Sequence, residues 1–486
     1  MIRCLLSLLL VSLFAHLQAQ VTFQDIYGQF KQQAEEEYGN FRDEANRTYA
    51  EFVRKAWEEH KVMPAIPKPK EEKVPPVIIP EEDLQKPIES TPIEIEDKVI
   101  EIPPIDPQPL PVGPIKEQPV TEEEKVSFVC YGTRMMVRFS KKLAFRMNGC
   151  TPNTVADAWD KLSKKEYNNL IRDCLELRIA HQLNDWAYLK MLDNMAKACV
   201  GNGNEATLLM AYVYCQSGYK MRLGMEGNKL CMLYATKHAI YDTMYFNIGG
   251  EGFYMYGEKA ERMSICEASF PKEKSLSLWI PQAMKLAERR SNARTLTSER
   301  YPNIKMQVSV NLNVIDFMNE YPTSMIEDNF MTRWAMYANT PLEESLKGEL
   351  LPKFRNLLQG MSQKEAVERL LNWVQTAFVY EYDDKVWGGD RAFFAEESLY
   401  YPYCDCEDRS ILFTHLVRDL LGLECILIYY PGHLASAVGF TESVQGDYIQ
   451  LNGNRFVVCD ATYIGAPIGY TMPDMDNKTA TVILLE

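Results

Sequence analysis

The chain has 486 residues, 46% of them apolar and 24% charged, a globular composition with room for two or three domains. Its formal net charge is −15. An acidic chain repels phosphate backbones, which argues against a nucleic-acid partner, and no dense basic run offers a hold for an anionic membrane surface.

Met1-Ile2-Arg3 is followed by a largely apolar run from Leu5 to Phe14 and then by Ala15-His16-Leu17-Gln18-Ala19-Gln20. A short cationic start, an apolar centre and a small-residue exit predict a signal peptide over residues 1–20. The apolar centre is too short to span a membrane. Cys4 precedes it, the wrong side for a lipoprotein anchor. The expected destination is therefore the periplasm, the cell surface or the medium. Without Cys4, 11 of the 12 cysteines remain, an odd number that leaves at least one unpaired or bonded elsewhere.

Residues 21–60 predict an amphipathic helix with 11-residue repeats, in which Tyr27/Phe30/Ala34, Tyr38/Phe41/Ala45 and Tyr49/Phe52/Ala56 recur. An 11-residue period is about 3.67 residues per turn, so the stripe stays on one face. That face suits docking on the chain's own globular part, or self-association or envelope docking. Residues 61–125 form a linker dense in Pro, Glu and Lys, expected to be extended and to act as a spacer. Residues 126–300 predict an α+β domain, with helices over 153–200 and 203–218 and strands over 219–236 and 239–256. A second globular half covers 301–486. Within it Ser362 and Glu365 read as the capping box of a helix whose apolar face is Ala366, Leu370, Trp373 and Val374.

Chemistry concentrates in Tyr401-Pro402-Tyr403-Cys404-Asp405-Cys406-Glu407-Asp408-Arg409. Ile411, Leu412, Leu416 and Leu420 follow at helical spacing, so Cys406 falls at a helix N-terminus, where free N–H groups and the helix dipole favour a thiolate. Glu407 and Asp408 oppose that charge, so a basic partner is required. Gly422 ends the helix, and Glu424 to Tyr430 reads as a buried strand. A Pro431-Gly432 turn then puts His433 at the mouth of the next strand. A hairpin turning at Asn452-Gly453 brings Asp460 to the end of a further strand, where it can hold an imidazole. Cys406 to His433 and His433 to Asp460 are each 27 residues.

Asp405-Cys406-Glu407-Asp408, Gly432-His433 and Asp460-Ala461-Thr462 together resemble the transglutaminase-like superfamily over about residues 360–475. The resemblance implies a papain-like α+β core: an antiparallel sheet and a nucleophile-bearing helix. It implies Cys406 as nucleophile, His433 as base and then acid, and Asp460 as orienter, with the sulfur within about 4 Å of one His433 nitrogen and Asp460 on the other. The reaction implied is attack on an amide carbonyl to give a thioester, released by water or an amine. One oxyanion donor is the Cys406 N–H, and Gln375, Tyr400 and Trp387 are candidates for the second. Cys404 departs from the family, which often has Gly there, and could form a disulfide that switches the site off.

The expected function is thus an exported thiol hydrolase or acyl transferase acting on a peptide or protein substrate, more hydrolytic than crosslinking, without metal or other cofactor. The alternative is a non-catalytic envelope scaffold that keeps the fold. A metal site on Cys404, Cys406 and His433 lacks a fourth ligand and the usual spacing. His415 lies nine residues past Cys406, about 13 Å along the helix, and cannot serve as base. Asp383-Asp384 and Asp474/Asp476 read as solvated turns. Asn202 through Gly218 aligns without a gap on Cys406 through Gly422, with Asn202 on Cys406, which suggests an inactive copy of the catalytic half in residues 126–300.

Overall fold

The computed structural model describes residues 39–95, 98–119, 124–257 and 260–486. The expected signal peptide and the first repeat of the N-terminal helix lie outside these residues. The fold is mixed α+β, built on two six-stranded sheets. No helix among the described residues is long and apolar enough to cross a membrane.

The two sheets have the same strand order. The first runs Trp57–Lys61, Arg262–Cys266, Met221–Glu226, Lys229–Ala235, Glu251–Tyr256, Tyr245–Ile248. The second runs Val99–Ile100, Thr481–Leu484, Glu424–Tyr430, His433–Gly439, Asn454–Cys459, Tyr448–Leu451. Register agrees as well. Glu226 pairs with Lys229 across one central hairpin and Tyr430 with His433 across the other. Three residues further on, Met232 pairs with Tyr256 and Ser436 with Cys459. Each sheet is entered from a buried helix, Asn204–Gln216 or Cys406–Leu421. The outer edge strands differ: Trp57–Lys61 is antiparallel to its neighbour, whereas Val99–Ile100 is parallel to its own.

Local chemistry accounts for these elements. Ser362 caps Gln363–Thr376, its hydroxyl accepting from Glu365 N–H at 3.2 Å while Glu365 accepts from Ser362 N–H at 2.9 Å. Asn452 and Gly453 take φ of 51° and 84°, the positive values that a two-residue hairpin turn requires. The strands Glu424–Tyr430 and His433–Gly439 are buried on both faces, which explains their unbroken apolar runs. One apolar cluster continues through both halves and includes Trp159, Leu192, Trp334, Trp373 and Leu412. Separate clusters cover the far face of each sheet, around Phe246 and Phe253 in the first and Ile428 and Val458 in the second. Burying each Val, Leu or Ile side chain contributes about 1.5–3 kcal/mol.

Two expectations are corrected. The chain is helical over 39–53 and then turns into the strand Trp57–Lys61, so the helix does not reach residue 60. Its buried face is Arg42, Ala45, Asn46, Tyr49, Ala50 and Val53, while Phe41 and Phe52 are exposed. It docks on the first half: Arg42 donates to Asn168, Asn46 accepts from Trp159 Nε1 at 3.2 Å, and Tyr49 packs on the Trp159 ring. The linker is not a spacer either. It runs as a belt over both halves, supplies the edge strand Val99–Ile100, pairs Val77–Ile78 with Tyr463–Ile464, and buries Ile79, Ile93, Val112 and Ile115. Its prolines keep it extended, and it takes its backbone partners from the sheets it crosses.

Candidate active site

Asp405 is the N-cap of Cys406–Leu421, and Asp408 closes the first turn by accepting from Asp405 N–H at 3.2 Å and Phe393 N–H at 2.8 Å. Cys406 is therefore the first helical residue. One turn on, Ser410 Oγ donates to Leu434 O at 2.8 Å, which ties the helix start to the strand that opens with His433. Asp460 follows the adjacent strand. Its Oδ1 accepts from Thr462 N–H at 2.8 Å and Tyr463 N–H at 3.2 Å, and its Oδ2 lies 2.9 Å from His433 Nε2. Among the described residues, His433 Nδ1 is buried without a partner.

The sulfur of Cys406 is engaged elsewhere. It donates to Glu407 Oε2 at 3.1 Å and makes no hydrogen bond to His433. The expected triad is thus assembled on its His433–Asp460 side and open on its Cys406–His433 side. Cys406 is 1% exposed and His433 2%. Burial first, then the Glu407 charge, pushes the Cys406 thiol well above its ordinary range, with Lys73 as the opposing influence. Burial and the Arg418 charge push His415 down to about 3, so it stays neutral inside the helix packing. All eleven described cysteines carry free thiols, Cys404 included.

Lys73, from the belt, occupies the other side of Glu407. Its ammonium bonds Glu407 Oε1 and lies 3.4 Å from Asp405 Oδ2 and 3.6 Å from Asp390 Oδ1. Burial works against its charge, but Glu407 and Asp405 outweigh it and hold the amine protonated. The same contact holds Glu407 ionised despite its burial. Asp383 is no solvated turn: it is buried, accepts from Arg391 N–H at 2.8 Å, and is pushed up to about 7 by burial and then by Glu407. Asp383, Asp390 and Glu407 stand within ligand distance of one another, as do Asp383, Asp405 and Asp408. The Lys73 ammonium and the Arg333 guanidinium on Asp390 supply the positive charge of this cluster.

The candidate oxyanion donors separate clearly. Gln375 is spent on structure: its amide donates to Asp460 O at 2.9 Å, Tyr463 O at 2.8 Å and Ala466 O at 3.1 Å, and accepts from Gly465 N–H at 3.2 Å. It staples the loop that carries Asp460. Trp387 meets Phe393 and Tyr401 edge to face, and Tyr400 meets Tyr401 in the same way. Tyr380, which the sequence did not single out, pairs with Cys404 across a short parallel ladder, and its hydroxyl is buried without a partner among the described residues. Burial first, then the neighbouring Cys406, Asp405 and Glu407, pushes its pKa up, so it stays a protonated hydroxyl. A buried donor left idle suits a charge that develops only during reaction.

In the first half, the residue that begins the entering helix is Asn204; Asn202 lies two residues before it. Asn204 Oδ1 accepts from Leu230 N–H and its Nδ2 donates to Asn228 O, both at 2.9 Å, so it straddles Lys229. By register, Lys229 stands where His433 stands and Gly257 where Asp460 stands. The three positions carry Asn204, Lys229 and Gly257 in place of Cys406, His433 and Asp460. Comparison with family models, with curated proteins and with solved structures gave no match to the chain.

Proposed function

We propose that the second half is an exported cysteine-nucleophile enzyme with a transglutaminase-like core, acting on peptide or amide bonds through a thioester. The observation that carries this reading is the His433–Asp460 pair, with Nε2 held on a carboxylate and Nδ1 left for a proton, on the strand that Ser410 ties to the helix headed by Cys406. In the reaction the Cys406 sulfur bonds the carbonyl carbon, and the thiol proton passes to His433 Nδ1. The Cys406 N–H and the Tyr380 hydroxyl hold the oxyanion. The C–N bond then breaks, and His433 returns the proton to the leaving amine. Water, activated by His433 in turn, attacks the thioester and regenerates the thiol. An amine can replace water, but it needs a site of its own, so hydrolysis is the default.

A second reading, a non-catalytic envelope scaffold, is favoured by one observation: the thiol is bonded to Glu407, which disfavours the thiolate. The test is turnover of a peptide-amide library, with an added primary amine in parallel. It is run on the intact protein and on Lys73→Ala, with Cys406→Ala in each as the blank. Cleavage or amine incorporation that depends on Cys406 in either form supports the enzyme. Its absence in both leaves the scaffold.

A further inference from the structure

The belt crosses the site at one place. Val74 N–H donates to Gly432 O at 3.0 Å, beside His433. Glu72 O lies so close to Gly432, whose φ is +78°, that a Cβ there would sit 2.1 Å from it. Between these two anchors Lys73 drops its ammonium onto Glu407, Asp405 and Asp390. The flanks are fastened too: the Tyr429 hydroxyl donates to Glu71, and Lys68 Nζ donates to Asp390 O at 2.8 Å. Outside this strap lies a cavity of about 840 Å³, walled by Pro67–Lys73 on one side and by Tyr382–Asp384 and Trp387–Arg391 on the other. Neither Cys406 nor His433 lines it.

We propose that Glu71–Val74 is a tethered plug that closes the Cys406–His433 site in the resting protein, with Lys73 as its pin, and that the site opens into the adjoining cavity when this strap is withdrawn. The proposal rests on the catalytic reading for its purpose but not for its geometry. Three features single out a plug over ordinary packing. The strap sets an ammonium into the buried acidic cluster that flanks Cys406, and the carboxylate that receives it is the one that holds the thiol. Glu407 thus serves both parts: while Lys73 is on Oε1, Oε2 keeps the Cys406 proton away from His433. The strap also has no helix or long strand of its own. It is extended, flanked by Pro67, Pro69, Pro75 and Pro76, and the strand that follows it is the two-residue pairing of Val77–Ile78 with Tyr463–Ile464, outside both six-stranded sheets. A segment held by a few point contacts opens locally at far lower cost than the core.

The test is the alkylation rate of Cys406 by iodoacetamide in the full chain, localised by fragment-ion mass spectrometry, from pH 5 to 9. The intact protein is expected to label Cys406 slowly. Lys73→Ala is expected to raise the rate at least tenfold. Because Lys73→Ala strands buried carboxylates and can cost stability, Val74→Pro serves as the second variant. It removes the bond to Gly432 O, leaves the acidic cluster intact and should also raise the rate at least tenfold, with the circular-dichroism melt as the check on folding. Equal rates in the intact protein and in a folded variant overturn the plug. A faster rate whose pH midpoint is that of an ordinary thiol, about 8.5, supports the plug and overturns the catalytic reading instead. A faster rate with a midpoint displaced below that supports both.

Discussion

His433 Nε2 and Asp460 Oδ2 are 2.9 Å apart with both side chains shut off from solvent, so the carboxylate fixes Nε2 as a donor and leaves Nδ1 without a partner among the described residues. Asp460→Asn keeps an acceptor at Oδ1 for Thr462 and Tyr463 N–H but presents a neutral group to Nε2. The tautomer is then no longer enforced. We expect kcat for amide hydrolysis to fall by roughly 10²–10⁴, short of the loss in Cys406→Ala. Steady-state kinetics on all three proteins checks the order.

Cys406→Ala should abolish hydrolysis and thioester trapping while leaving the fold in place. The thiol gives up one bond to Glu407, so the cost is about 1 kcal/mol. Cys404→Ser should retain activity, at a cost of about 1–2 kcal/mol for a hydroxyl at a buried position. Turnover paired with a thermal melt separates the two. A dead Cys404→Ser beside an active Cys406→Ala would move the nucleophile two residues earlier.

Gln375 holds the Asp460 loop through three donated bonds and one accepted bond. Gln375→Leu fills the space but leaves those carbonyls without a donor. Gly465 N–H loses its acceptor as well, so at about 1 kcal/mol per lost bond the variant should be destabilised by about 4 kcal/mol. Activity should fall further than the folded fraction explains, because Asp460 loses its seat. Denaturant melts and kcat per folded molecule are the two measurements.

Asp383 gives stability a pH dependence. Burial and Glu407 raise its folded pKa to about 7, above the unfolded value near 4. Between these two values the folded protein binds the extra proton, so stability is highest at the acid end of the window and declines as pH rises through 7. Glu396, raised to about 7 by burial, acts in the same sense. The melting temperature should therefore fall from pH 5 to pH 8, and Asp383→Asn should flatten that slope. A melting temperature that rises over this window in the native protein would contradict the assignment.

Much of the frame is legible from local sequence. Ser362 and Glu365 mark a helix start, Gly422 a helix end, and Asn452-Gly453 a hairpin, because caps and turns are decided by a few adjacent residues. The β-branched run Glu424–Tyr430 and the strand mouth at His433 likewise needed no distant partner to be read. That is why His433 and Asp460 could be named before their 2.9 Å contact was seen. The belt could not be read this way. Residues 61–125 carry no periodicity, and their two-residue strands exist only because edges of sheets hundreds of residues away offer unpaired backbone groups. The state of Cys406 was equally hidden, although Glu407 is its neighbour in sequence. Which way the thiol proton points depends on how Glu407 is held, and that is set by an ammonium 334 residues earlier in the chain. Sequence alone determined which groups stand at the helix start and the strand ends. Tertiary structure decided that Cys406 is covered and that Asp383 and Glu407 are buried, because burial and long-range ion pairing exist only once the chain has folded back on itself.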